Sequence, residues 1–157
     1  MRIVPVFLVL VLVLAVSGAL ASSALPFTPT VSLQVTLPQR FNASIGISSV
    51  DMGSLWGPKA GFLARLEPGL GAGKAHLGGR FAFAMAFVDI FYADLTASVM
   101  HTWGDTWGHL QRDQTYLGGE VRFGAHLLMG TAGIYRHVNG SDENHDWVVS
   151  LGAGLGI

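Results

Sequence analysis

Six charged residues stand out by their placement. Arg65, Glu67, Arg80, Asp94, Glu120 and Arg122 each fall on the polar parity of a stretch that otherwise alternates apolar with small residues. Three guanidinium groups and three carboxylates drawn together away from water could line a gated ion path. They could instead neutralise one another as a packed polar plug that fixes strand register, because an unpaired buried charge costs several kcal/mol. A small closed sheet has an interior filled by side chains, which favours the plug.

Other residues have the types for chemistry but lack the spacing. His137, Ser141 and Glu143 could supply a base, a nucleophile and an acid, which a catalytic triad needs in mutual contact. They fall in a hydrophilic stretch, 139–145 and its edge, where a solvated loop would hold the same residues. Asp142, Glu143 and Asp146 could ligate Ca²⁺, yet the fixed ligand positions of a calcium loop are missing. Trp103 and Trp107 could form a carbohydrate or lipid platform. An aromatic belt at a membrane interface explains them more simply, since indole has one apolar and one wet side. Phe41, Trp103 and Trp147 then mark one rim, and Phe87 and Phe91 the other. The Gly-rich run 69–73 sits in no strand–helix context that would make it a nucleotide loop. Asn42-Ala-Ser44 and Asn139-Gly-Ser141 match the glycosylation sequon and carry no further weight. The expectation is a chain with no catalytic residue, metal ligand or cofactor.

The elements that must position these residues are strands of period two. The last eleven residues set Trp147, Val149, Leu151, Ala153, Leu155 and Ile157 against Val148, Ser150, Gly152, Gly154 and Gly156. Thr28 to Leu37 and Phe41 to Ser48 alternate in the same way about a turn at Pro38 to Arg40, and read as a hairpin. A loop from Ser49 to Lys59 precedes a third strand over 60–67. The Gly-rich stretch from Pro68 to Gly73 fits a loop or a flattened start of strand four, which beyond it is expected from about Ala75 to Phe87, with a turn at Val88 to Ile90, and strand five from Phe91 to Val99. After a polar loop at 104–114, strand six runs from Leu117 to Leu127. Strand seven, about Thr131 to Val138, is irregular, and strand eight closes the chain. The apolar faces of these strands carry no charge. A charge on the lipid side of a membrane wall near its midplane costs about 2–4 kcal/mol. In a soluble barrel the same pattern would crowd Phe81, Phe83, Phe87, Phe91 and Phe123 into a small interior.

Composition bounds the rest. Arg2, an apolar run from Ile3 to Val16 and the small residues ending at Ala21 have the anatomy of a secretory signal. The run is about 14 residues, short of the roughly 20 that a spanning helix needs. The expected organisation is a signal peptide at 1–21, cleaved on export, and one domain at 22–157. The chain has nine Lys or Arg against ten Asp or Glu. No basic face is left over for nucleic acid. Cysteine is absent from all 157 residues, so closure of the sheet has to replace disulfides.

In these features the chain resembles the small eight-stranded outer-membrane barrels of Gram-negative bacteria, the OmpA-type and OmpX-type proteins. The resemblance is one of pattern over residues 22–157. It implies an all-β fold, a single antiparallel up-and-down transmembrane β-barrel of about eight strands in the cell outer membrane. It also implies outer-membrane lipid, lipopolysaccharide and the outer-membrane assembly machinery as partners, and a non-enzymatic envelope role: structural, adhesive or a small-solute path. A lipid A deacylase-like or acyltransferase-like enzyme and a soluble secreted or periplasmic β-domain are the alternatives. Ile157 stands where such proteins usually end on Phe or Trp. The 49–59 connection is long for the end of the barrel that carries the termini.

Overall fold

The computed structural model describes residues 27–50, 57–85, 88–108, 110–141 and 146–156. The proposed signal peptide, Phe87, Asp142, Glu143 and Ile157 lie outside these residues. Eight strands follow one another: β1 (Thr28–Leu37), β2 (Arg40–Ser48), β3 (Lys59–Pro68), β4 (Ala72–Met85), β5 (Val88–Thr102), β6 (Thr115–Ala125), β7 (Leu128–Asn139) and β8 (Trp147–Gly156). Each pairs antiparallel with its sequence neighbours, and β1 pairs with β8 to close the barrel. The fold is therefore all-β, a single up-and-down barrel. Closure satisfies both edges of every strand and removes the open edge that a free sheet exposes.

Alternation decides which side chain enters the lumen, because successive residues of a strand point to opposite faces. On β1, Thr30, Ser32, Gln34 and Thr36 are buried while Leu33, Val35 and Leu37 are exposed. On β5, Asp94, Thr96 and Ser98 are buried and Leu95 and Val99 exposed. Pairing carries this parity around the barrel. Thr36, Gly152, Thr131, Arg122, Asp94, Arg80 and Gly61 follow one another across the ladders as a staggered inner ring. The stagger is what tilted strands in a closed sheet require.

Several strand boundaries differ from the sequence expectation. β4 begins at Ala72, three residues before Ala75, so Gly73 lies within the strand while Gly71 stays in the bend before it. The Trp103 ring lies where a Cβ on Gly73 would be. The reversal after β4 falls between Met85 and Val88 rather than at Val88 to Ile90, which belong to β5. The register that places Arg80 opposite Asp94 holds as far as Ala84 opposite Ile90 and then shifts, so that Met85 pairs with Val88, and alternation in the sequence does not reveal such a shift. β6 ends at Ala125, with His126 and Leu127 forming the turn into a β7 that starts at Leu128.

The two ends are built differently. At one end the segment after β5 folds back over the neighbouring turns: Trp103 N and Gly104 N donate to Gly71 O at 3.0 Å, and Trp107 N to Pro38 O at 2.9 Å. Beneath it Ala72, Met100, Leu110, Tyr116, Tyr135 and Val148 form an apolar layer. The end that carries both described termini is closed by Val50, Ala82, Tyr92 and Met129. The long β2–β3 connection lies there, and Ser49 ties it down by donating its N–H to Phe62 O at 2.9 Å.

Candidate functional site

Between the two apolar layers the lumen holds a continuous polar network to which every strand contributes. Arg80 grips Asp94 through Nε at 2.7 Å and Nη2 at 3.0 Å, a bidentate geometry that also fixes orientation. Arg65 reaches from β3 to two carboxylates, Asp94 at 3.2 Å and Glu120 at 3.1 Å. Arg122 donates to Glu67 at 2.8 Å and to Ser32 at 3.3 Å. Lys74 Nζ lies 2.7 Å from both Glu120 Oε2 and Ser150 Oγ, which joins β4 to the diametrically opposed β8. Tyr135 on β7 donates to Glu120 at 2.9 Å. Gln34 donates to Glu67 at 3.2 Å, and Ser32 shares a hydrogen bond with Ser44 of β2.

All six charged residues singled out from the sequence lie in this network, each no more than 2% exposed. Three participants were not singled out. Lys74 shares parity with His76 and Arg80, but it directly follows the Gly-rich stretch 68–73, where the sequence leaves loop and strand both open. Tyr135 sits in the strand whose alternation was least regular. Its ring packs on Gly118 and Gly133, so the absence of side chains at those positions is what admits it. His76 shares a hydrogen bond between its Nδ1 and Ser98 Oγ at 2.7 Å.

Glu67, His76 and Glu120 have ligand atoms within 4.8 Å of one another and could hold a metal by type and distance. Their surroundings oppose it. Lys74 and Arg65 sit on Glu120, Arg122 sits on Glu67, and these fixed cations already supply the positive charge that a metal would bring.

Of the aromatic residues expected at the rims, Phe41, Phe91, Trp103 and Trp147 lie on the outer surface. Phe41 and Trp147 are well exposed and Trp103 less so, all three at the end capped by the folded-back segment. Phe41 and Trp107 approach with ring centroids 6.4 Å apart. Phe91, near the other end, stacks on Phe83 at 5.5 Å. His137 bonds Gln114 Oε1 at 3.1 Å, and its ring centroid lies 5.2 Å from that of Tyr116, while Ser141 is exposed. In the folded-back segment Arg112 donates to Asp105 at 2.8 Å. That hydrogen bond, with the guanidinium charge behind it, holds the Asp105 carboxyl below its usual range and the Arg112 guanidinium above its own.

Comparison with protein-family models, curated proteins and solved structures gave no match.

Proposed function

We propose that this chain is an integral membrane barrel of the bacterial outer-membrane type, exported by its N-terminal segment, with a closed lumen and a non-enzymatic structural role in the envelope. The observation that carries this reading is an inverted pattern of burial. Leu95, Phe123 and Val149 are each 61% exposed on the wall, whereas the charged groups inside are shielded almost completely. In water such a wall would be an apolar patch far larger than soluble monomers carry. Hydrocarbon reverses that preference, and closed barrels are one of the two structures whose backbone can cross it fully bonded.

Strand length fits the same reading. β1, β3 and β8 each have ten residues, within the roughly 9–11 that a tilted strand needs to cross a bilayer. Phe41, Trp103 and Trp147 at one end suit the depth of lipid headgroups. Outer-membrane lipid and lipopolysaccharide are then the surrounding partners, and insertion falls to the outer-membrane assembly machinery. A lumen crossed by ion pairs and closed by two apolar layers supports a structural role over a solute path.

Single Val149→Cys and Ser150→Cys variants test the proposal, since the chain has no cysteine of its own. In membranes that resist carbonate extraction, a lipid-soluble maleimide should modify position 149 and leave 150 untouched. A membrane-impermeant reagent should modify neither. Free reaction of 149 with the impermeant reagent, or release of the protein in soluble form, would refute the membrane reading.

A further inference from the structure

Among the described residues the charges inside the barrel do not cancel. Among the described residues, the buried cations are Arg65, Lys74, Arg80 and Arg122, and the buried carboxylates are Glu67, Asp94 and Glu120. Four positive groups face three negative ones, and protonation of His76 could only enlarge the excess. An unbalanced charge shielded from water is strongly unfavourable, so it calls for a counter-charge.

A second observation indicates where that counter-charge sits. Arg122 Nε, Thr131 Oγ1 and Tyr92 Oη are buried and have no hydrogen-bond partner among the described residues. They occupy neighbouring inner positions of one wall. Thr131 pairs directly with Arg122 across the β6–β7 ladder. Tyr92 pairs with Gly124 on β6, two residues from Arg122, and its hydroxyl oxygen lies 2.5 Å from where a Cβ on Gly124 would be. Arg80 stacks its guanidinium over the Tyr92 ring at 4.4 Å, and its Nη1 is also without a partner. Asp94 belongs to the same inner ring, but its oxygens already accept from Arg80 and Arg65. The unsatisfied atoms on this wall are N–H and O–H groups; the carboxylate hydrogen-bonded to Arg122, Glu67 on the facing β3, accepts through Oε2, while its Oε1 has no hydrogen-bond partner among the described residues. Buried donors left without an acceptor are rare in folded proteins.

We propose that a small monovalent anion of the halide class, chloride under ordinary conditions, is bound inside the barrel by Arg122, Thr131 and Tyr92, with Arg80 completing its electrostatic surroundings. A water molecule would satisfy these donors but leave the excess charge. One halide satisfies both. The apolar layer of Val50, Ala82, Tyr92 and Met129 lies just beyond, which selects a bare spherical ion over a large or strongly hydrated anion.

The test uses the full-length folded protein in detergent micelles. Crystals grown in bromide should show one interior anomalous peak within hydrogen-bonding distance of Arg122 Nε. The thermal midpoint should rise with chloride relative to gluconate at equal ionic strength, and the rise should follow a saturable binding curve. Tyr92→Phe keeps the ring under Arg80, and Thr131→Val keeps the volume. Together they should raise the half-saturating halide concentration about tenfold, as expected for lost hydrogen bonds to a charged group, with the gluconate midpoint largely retained. A water at this position with equal midpoints in the two salts would overturn the proposal, as would bromide found only on the outer surface. Should the double variant fail to fold, the bromide map and the salt comparison on the unaltered chain still decide the question.

Discussion

Replacing Glu120 by Gln probes the network at its most connected carboxylate. Glu120 accepts from Lys74 at 2.7 Å, from Arg65 at 3.1 Å and from Tyr135 at 2.9 Å, and it is 2% exposed. The amide preserves shape but removes the charge, and it turns an N–H₂ toward groups that are themselves donors. Arg65 keeps Asp94, whereas Lys74 is left with Ser150 and the distant Glu67 at 4.0 Å. Breaking a buried pair in this way costs about 3–5 kcal/mol. The stranded ammonium is the main source of that loss, so adding Lys74→Met should restore part of it. Contacting groups of this kind couple by about 0.5–3 kcal/mol. Urea unfolding in lipid vesicles, followed by tryptophan fluorescence, measures the unaltered chain, the single variant and the double variant. A loss below about 1 kcal/mol for Glu120→Gln, or a full additional loss on adding Lys74→Met, would show that the lumen is hydrated enough to screen these charges and that the plug is not what holds the wall.

Leu95→Arg, at the middle of β5, places a charge on the outer wall and should cost about 2–4 kcal/mol in a bilayer; folding yield into vesicles reports it, and an unaffected yield counts against lipid contact there. Gly118→Ala should destabilise by about 1–3 kcal/mol, the range for overpacking. The added methyl would meet Tyr135 Cα at 2.7 Å and Tyr135 Cδ1 at 2.8 Å, and the expected signature is a lower thermal midpoint together with altered tyrosine absorbance. Asp105 is held below its ordinary range by Arg112, so the pair stabilises the loop above the unfolded-state value and loses that contribution as pH falls through the lower folded-state value. Carboxyl NMR titration of Arg112→Gln should show Asp105 returning upward toward the ordinary range; an unmoved titration would mean that the two side chains do not meet in solution.

Alternation made most of the architecture readable. A strand that sets Leu33, Val35 and Leu37 against Ser32, Gln34 and Thr36 has one face for each environment, and the same parity assigned Arg65, Asp94 and Glu120 to one side of the wall without reference to any partner. What alternation cannot encode is where one strand meets the next. Parity puts Phe83 and Phe91 on one face, but only the fold shows that they pair with each other and that the register shifts beyond Ala84, so that Met85 meets Val88. Glycine misled for a related reason. In the chain Gly73 fits a loop or a flattened strand start alike, and only the fold brings Trp103 across Gly73 and Tyr135 across Gly118.

The division between sequence and tertiary structure follows from the range of the forces involved. Strand identity, the polar and apolar faces, and the set of charges that must leave the wall are local properties, because side-chain direction repeats every two residues along any strand. Which charges meet is not local. Arg122 finds Glu67 and Lys74 finds Ser150 across the lumen, contacts that exist only once β1 has paired with β8 and the strands have taken their stagger. Among the described residues the excess of one buried cation likewise emerges only with closure, when Lys74 turns out to lie inside with the three arginines.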